Sequence, residues 1–380
     1  MNIRQVVLTA LAMLILSGCG PAALTPTLPN IPPPNATGAA LDVSPTPLPA
    51  TPAAERATAS GPVVFPTLTP ITAINAGHLA EIAHLDAAGV RMVAISPDGK
   101  SLASAEDIDS RVVIYDMPYT FGVVLLMGHQ AKVNDLAWSP AGRTLASASD
   151  DGTVRFWDTG TGQELSQIAV DQDGVASLAW SPDGTKIVTG DNRGAAQVWD
   201  AQTGGLLLLI QPDADDSTIS ALAWSADSQS FAAATWLGPD HAGEIKLYDA
   251  AAGEQTNGLG DVFAPAPGSL AWSALQPKIA WIRHSDSRAI VWDIPNSAEA
   301  VVLSDQRQTH AVAFSADGSL IATGGEDGAA RVWDAATGAL LATLQGHTDT
   351  IHTVRWSNDS LYLVTAGWDG TIRVWGVGNQ

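Results

Sequence analysis

"LAWSPDG", Leu178 to Gly184, is a turn with an aromatic before it and a Pro, an acid and a Gly inside it. Taken alone, it fits a β-turn, an anion-binding loop or half of a metal site. Its variants decide among these: "VAISPDG" from Val93, "LAWSPAG" from Leu136, "LAWSADS" from Leu222, "LAWSALQ" from Leu270, "VAFSADG" from Val312 and "VRWSNDS" from Val354. Each lies between short runs with strand alternation. The units end at Asp116, Asp158, Asp200, Asp249, Asp293, Asp334 and Gly376, at spacings of 42, 42, 49, 44, 41 and 42 residues. In the second unit the alternation predicts strands over Val133–Trp138, Thr144–Ser149, Thr153–Trp157 and Glu164–Val170, joined by "SPAG", "DDG" and "DTGTG". These connectors have hairpin length and turn chemistry. "SPDG" is therefore a hairpin turn in which Pro fixes φ and Gly takes a positive φ. A phosphate loop is excluded, because no helix follows and no Lys stands where one is needed.

A period near forty with four strands per unit predicts an all-β chain: a seven-bladed β-propeller of four-stranded antiparallel blades. The "WD" endings, with "GH" at Gly128–His129 and Gly346–His347, resemble the WD-repeat family from about Gly77 to the C-terminus. The resemblance implies closure by an N-terminal strand. The seventh unit stops just after Trp375, and "LAEIAHL", Leu79–Leu85, looks like the missing outer strand. It also implies a buried His, Ser/Thr, Asp and Trp tetrad. The second unit matches it with His129, Ser149, Asp151 and Trp157. The seventh has His347, Asp369 and Trp375, with Gly367 at the hydroxyl position. The sixth keeps Asp327 and Trp333, the fifth Asp286 and Trp292, and the third has Arg193 at the Asp position. His129, Ser149 and Asp151 are also the residue types of a hydrolase triad, but no oxyanion hole accompanies them, and a structural network is the preferred reading.

Ten of the 13 Trp residues end a first or third strand and are expected to pack between blades. Of the other three, Trp281 lies within a second strand and is expected in the core. Trp236 belongs to "TWLGPDHAGE", the insertion that lengthens the fourth unit, and Trp368 sits where other units place Asp150, Asn192 or Glu326. In WD-repeat propellers the starts of the inner strands ring the channel mouth. Here those positions read Arg91, Asn134, Ala176, Ser220, Ser269, His310 and His352. Since blades six, seven and one are neighbours, Arg91, His310, Glu326, His352 and Trp368 are expected to form one partner-binding patch, with Trp236 as the next candidate. An aromatic anchor beside a cation and hydrogen-bonding groups is the mixture enriched at hot spots.

The formal net charge is -21, and residues 1–75 contribute none of it, holding only Arg4, Arg56, Asp42 and Glu55. An acidic head argues against nucleic acid and anionic lipid. Arg4, the apolar run Val6–Leu16 and "LSGC" predict a signal peptide over 1–18. The last four residues resemble a bacterial lipobox, which implies lipidation of Cys19, the sole cysteine, and an extracytoplasmic protein anchored to the bacterial cell membrane. Residues 19–76 hold thirteen of the 23 prolines and predict a disordered tether, able to reach ~170 Å if extended. Residues 77–380 are the expected propeller.

"DQDG" at Asp171 and "DADDS" at Asp213 raise calcium, but the second lacks the Gly and distant Glu of an EF-hand loop, and solvated acidic loops are preferred. No catalytic residue, cofactor or metal site is predicted. The reading is a monomeric, non-enzymatic platform for a protein or peptide. The alternative is a propeller that binds a small ligand or acts as an enzyme through its central channel.

Overall fold

The computed structural model describes residues 67–117, 123–211, 217–238, 240–262, 267–304 and 308–378. The expected lipidation site Cys19, the expected signal peptide and most of the expected tether lie outside them, as do the residues of "DADDS" before Ser217.

The local chemistry of the repeated turn explains why each hairpin forms. The Ser181 hydroxyl donates to Asp183 (2.6 Å) and accepts from the Lys186 amide (2.9 Å), while Asp183 accepts from the Thr185 amide (2.9 Å). Gly184 takes φ of 74°. Ser96–Asp98, Ser225–Asp227, Ser315–Asp317 and Ser357–Asp359 repeat the bond. The Asp that ends each third strand has a parallel job. Asp158, Asp200 and Asp334 each accept from two amides and a Thr hydroxyl in the turn that follows. These are Asx-type caps on the second hairpin of each blade.

Seven antiparallel sheets result, within 90–126, 133–169, 175–210, 218–262, 270–303, 309–345 and 351–378, numbered blades 1 to 7. In blade 2 the strands are Val133–Trp138, Thr144–Ser149, Thr153–Asp158 and Glu164–Ala169, within a residue of expectation. Each inner strand approaches its two neighbours in a circle that returns from blade 7 to blade 1. The indoles of Trp138 and Trp224 donate to the carbonyls of Ala94 and Ala179 on the preceding inner strand, at 3.0 Å each. Between blades lie separate apolar clusters, such as Met92, Val112, Leu145 and Trp157 between blades 1 and 2.

Closure follows the expected route and adds to it. Ala80–Asp86 pairs with Thr371–Gly378 as the outer strand of blade 7. A second short strand, Leu68–Thr69, pairs with Gly378 and Val377. The amide of Ile71 donates to Ser360 at 2.8 Å. Ile71 and Ala76 are buried in the cluster shared by blades 6 and 7. The described fold therefore reaches back to Leu68, about nine residues ahead of the expected boundary at 77. The cause is apolar side chains, Leu68 and Ile71, in a segment whose proline content alone reads as tether.

Candidate partner-binding face

The expected ring of inner-strand residues owes its position to a backbone irregularity. Six of the seven inner strands carry a register shift centred on one residue: Arg91, Asn134, Ala176, Ser220, His310 and His352. A bulge re-aims its side chain. Four of them, Arg91, Asn134, His310 and His352, are met by the residue sixteen positions later, in the turn between the second and third strands. Arg91 is paired with Asp107, Asn134 donates to Asp150 (2.6 Å), and His310 Nε2 donates to Glu326 (3.0 Å). His352 faces Trp368, with ring centroids 6.3 Å apart.

Blade 5 departs from expectation. Counted back from Trp272, its ring position is Gly268, not Ser269, which is fully buried. The turn Pro267–Ser269 approaches the inner strands of blades 3, 4, 6 and 7, which lie on different sides of the ring. A Cβ at Gly268 would stand 2.9 Å from the His352 carbonyl. The turn therefore lies across the axis at this face, and only glycine permits the approach.

Arg91, His310, Glu326, His352 and Trp368 come together around blades 6, 7 and 1. Trp368 is 63% exposed, the one exposed Trp among the described residues. Its ring lies 6.1 Å from His310 and 6.3 Å from His352. Two of the expected roles change. Arg91 is held by Asp107 and brings no isolated cation. His352 is only 6% exposed; burial, then the charges of His347 and Arg91, push its pKa down to about 4, so it is a neutral wall behind the indole. Trp236 stands at the equivalent ring position of blade 4, opposite Thr218, half-buried and away from the patch. Its indole nitrogen is buried without a hydrogen bond.

The tetrad is present, with a different hydroxyl. His129 bonds Asp151 through Nδ1 (2.8 Å) and the Ser147 hydroxyl through Nε2 (2.7 Å), and the Trp157 indole donates to the same Ser147 oxygen (2.8 Å). Ser149 instead donates to the Ala131 carbonyl (3.0 Å). The two serines are two apart and share a face of the strand, so alternation cannot separate them. Blade 7 has a full tetrad, because Thr365 and not Gly367 is the hydroxyl: His347 Nε2 lies 2.8 Å from it and the Trp375 indole donates to it at 3.0 Å. A hydroxyl ten residues before the third-strand Trp was the missed signal. It recurs as Thr189–Trp199 and Thr323–Trp333. Burial pushes the Asp151 carboxyl up, but bonds from Thr153, the Gln130 amide and His129 outweigh it and bring the pKa down to about 2. Ser147 is fully buried, accepts from the Trp157 indole and donates its hydroxyl proton to His129 Nε2, so its oxygen cannot meet a substrate.

The other blades replace the tetrad piece by piece. In blade 1, Glu106 is buried and accepts from Ser104 (3.1 Å), Tyr115 (2.9 Å) and, doubly, Arg111 (2.9 and 2.7 Å). In blade 5 Asp286 pairs with Arg283 instead, and Trp281, at the hydroxyl position, packs on Trp292 with centroids 5.9 Å apart. In blade 6 Asp327 pairs with Arg331. Arg193 of blade 3 is paired with Asp173, which takes up part of the "DQDG" loop. Among the described residues no group of three or more His, Cys, Asp or Glu is placed to hold a metal.

Two inner-strand groups were not foreseen. Asp135 is 4% exposed, and burial pushes its pKa up to about 7 despite bonds from the amides of Leu136 (2.8 Å) and, across the blade boundary, Leu178 (2.9 Å). Arg355 of blade 7 feels its charge and lies against the Met92 sulfur of blade 1 (3.4 Å).

The repeat, the ring and the tetrad agree with the comparisons. The family model described as "WD domain, G-beta repeat" matches residues 78–116, 122–158, 162–200, 304–334 and 338–376. This is a WD-repeat propeller. The unmatched stretch, 201–303, contains blades 4 and 5, where the tetrad hydroxyl is Ala233 and Trp281. Relatives include a WD repeat-containing protein WDS homolog from Arabidopsis thaliana, 42% identical over 64 residues (17% of this chain, 12% of that protein). Nucleoporin Nup37 of Drosophila melanogaster is 32% identical over 82 residues (21% and 26%). A probable serine/threonine-protein kinase PkwA from Thermomonospora curvata is 49% identical over 53 residues (14% and 7%). The WD-repeat propeller thus matches only a minor part of each relative's length.

Proposed function

We propose that the protein is a non-enzymatic binding platform, tethered through a lipidated Cys19 outside the cytoplasm, whose patch on blades 6, 7 and 1 receives a protein or peptide. The observation that carries this reading is Trp368: an indole 63% exposed on a rigid turn, backed by buried His352 and flanked by His310 and Glu326. An exposed aromatic on a fixed scaffold loses little entropy on binding. The relatives' scaffold-like family supports the same reading. Trp368→Ala should weaken partner binding by about 2 kcal/mol, a loss near thirtyfold, with the thermal midpoint unchanged. Affinity isolation of the intact chain under equal loading measures this, and unchanged recovery of the same partner would move the site. Cys19→Ser should shift the protein from membranes to the soluble extracytoplasmic fraction, because the acyl chains supply the membrane affinity.

The channel reading draws on Asp135 and His352, whose pKa values are displaced. Both have structural uses: Asp135 braces blade 2 to blade 3, and His352 backs Trp368. The turn across the axis further limits access from this face.

A further inference from the structure

The Trp368 indole stands among carboxylates that the folded chain does not neutralise. Its amide donates to the Thr350 carbonyl (3.0 Å), which sets Asp349 close by. The Asp349 carbonyl also lies 3.3 Å from where a Cβ at Gly328 would be, two residues after Glu326. On the other side, the loop that starts at Asp86 joins the same turn. The Ala87 amide donates to the Gly370 carbonyl (2.8 Å), and the Gly89 carbonyl accepts from the amide of Asp107 (2.9 Å), two residues before Asp109. Asp86, Asp109 and Asp349 are exposed, and among the described residues none of them forms an ion pair. The cations nearby are engaged: Arg91 with Asp107, Arg111 with Glu106 and Arg331 with Asp327. The imidazole of His347 supplies no charge either, since burial pushes its pKa down. Burial pushes its partner Asp369 up, but bonds from the Thr348 amide, His347 and Thr371 outweigh this and bring the pKa down to about 2. Asp369 is therefore an anion one residue after Trp368.

We propose that the partner polypeptide presents a lysine or arginine side chain to this patch, its cation held against the Trp368 ring and its stem laid along the indole. The proposal rests on the platform function and names the chemistry of the partner. Two independent features select a cation. The indole is the side chain whose ring attracts a cation most strongly, and Trp368 leaves 63% of its surface open. The carboxylates of blades 6, 7 and 1 around it carry an uncompensated negative charge, which steers and holds the opposite sign. An apolar or acidic segment would strip water from Glu326, Asp109 and Asp349 without replacing it, and that is costly. A long cationic side chain does both jobs, because its methylene stem covers apolar surface while its head stays among polar groups. The overall acidity of the chain does not by itself create such a place. At the equivalent turns, Asp150 of blade 2 is bonded by Asn134, and Arg193 of blade 3 is paired with Asp173. Among the described residues, an exposed aromatic ring and unpaired carboxylates coincide at Trp368.

The test uses the full-length protein with nitrogen-15 in its indoles, the Trp368 signal being assigned by its loss in Trp368→Phe. The probes are N-acetyl-lysinamide and N-acetyl-argininamide, with N-acetyl-norleucinamide as the uncharged control and tetramethylammonium as a free cation. At least one of the two cationic amides should shift the Trp368 signal saturably, and at least tenfold more tightly than the norleucine control. The double variant Asp109→Asn/Asp349→Asn should weaken that binding at least threefold and flatten its dependence on salt. Both changes spare the fold: Asn keeps an oxygen for the Thr350 amide, which bonds Asp349 at 2.6 Å, and it suits the φ of 57° at residue 109. Equal or tighter binding of the norleucine control would overturn the proposal, as would unchanged binding in the double variant or shifts confined to other indoles. Binding of tetramethylammonium with neither cationic amide would overturn the polypeptide occupant in favour of a free quaternary cation. The platform reading fails separately. A macromolecular partner lost in Trp368→Ala but recovered equally by the double variant at low and high salt would overturn the cationic contact and leave the platform standing. Recovery indifferent to Trp368→Ala, with the probes still binding at Trp368, would count against the platform alone.

Discussion

At the residue scale, the tetrad of blade 2 separates two serines that look alike in sequence. Ser147→Ala removes the hydroxyl that accepts from Trp157 and donates to His129 Nε2, leaving a buried donor and a buried acceptor unpaired, at a cost of about 3 kcal/mol. Ser149→Ala removes one bond to a carbonyl and should cost about 1 kcal/mol. Urea unfolding of the two variants checks the order. His352 and Asp135 set opposing pH dependences. The folded pKa of His352, about 4, lies below its ordinary value, so the folded state binds fewer protons between pH 6.5 and 4 and stability falls as pH drops through that window. The folded pKa of Asp135, about 7, is raised, so its contribution is present below pH 3.8 and is lost as pH rises through 7. Thermal midpoints from pH 4 to 7.5 should therefore rise less steeply with pH in His352→Gln and more steeply in Asp135→Asn than in the parent.

At the element scale, the repeated turn tolerates a residue it does not favour. Ser360 stands at the glycine position of "SNDS" with φ of 55°. Ser360→Gly should stabilise the propeller by about 0.5–1 kcal/mol, because a non-glycine residue is strained there. A lower midpoint on urea unfolding would contradict that. The N-terminal strands make a second prediction. Removing residues 1–66 should leave the thermal midpoint unchanged. Removing residues 1–75 should lower it, since Leu68–Thr69 and the buried Ile71 are lost. Removal through Leu85 should lower it further by exposing the edge of blade 7. The turns, strands and closure were legible because their chemistry is local: a Pro, an acid and a Gly within four residues, or alternation over six. The hydroxyl of the tetrad was not, because choosing Ser147 over Ser149 requires knowing which rung faces His129. The bulges at Arg91, His310 and His352 were invisible for the same reason: a register shift is defined only by the partner strand.

At the scale of the whole molecule, the seven units are one scaffold with different fillings. Blades 2 and 7 keep the hydrogen-bonded tetrad, blade 1 substitutes a buried Glu106–Arg111 network, blade 5 packs two indoles and blade 4 has Ala233 and Tyr248 at the hydroxyl and Trp positions. The fold survives each exchange because neighbouring blades bury the same apolar strips regardless. The proposed binding function places its site where blades differ at the rim of one face, with Trp368 as the anchor there. Site-specific photocrosslinking tests it most directly. A benzophenone amino acid is placed at residue 368 or, separately, at 236 in the full-length protein. The account predicts one discrete crosslinked polypeptide from position 368, abolished when His310 and Glu326 are both changed to alanine. Adducts from position 236 alone, or none from 368 while the partner still co-purifies, would contradict it.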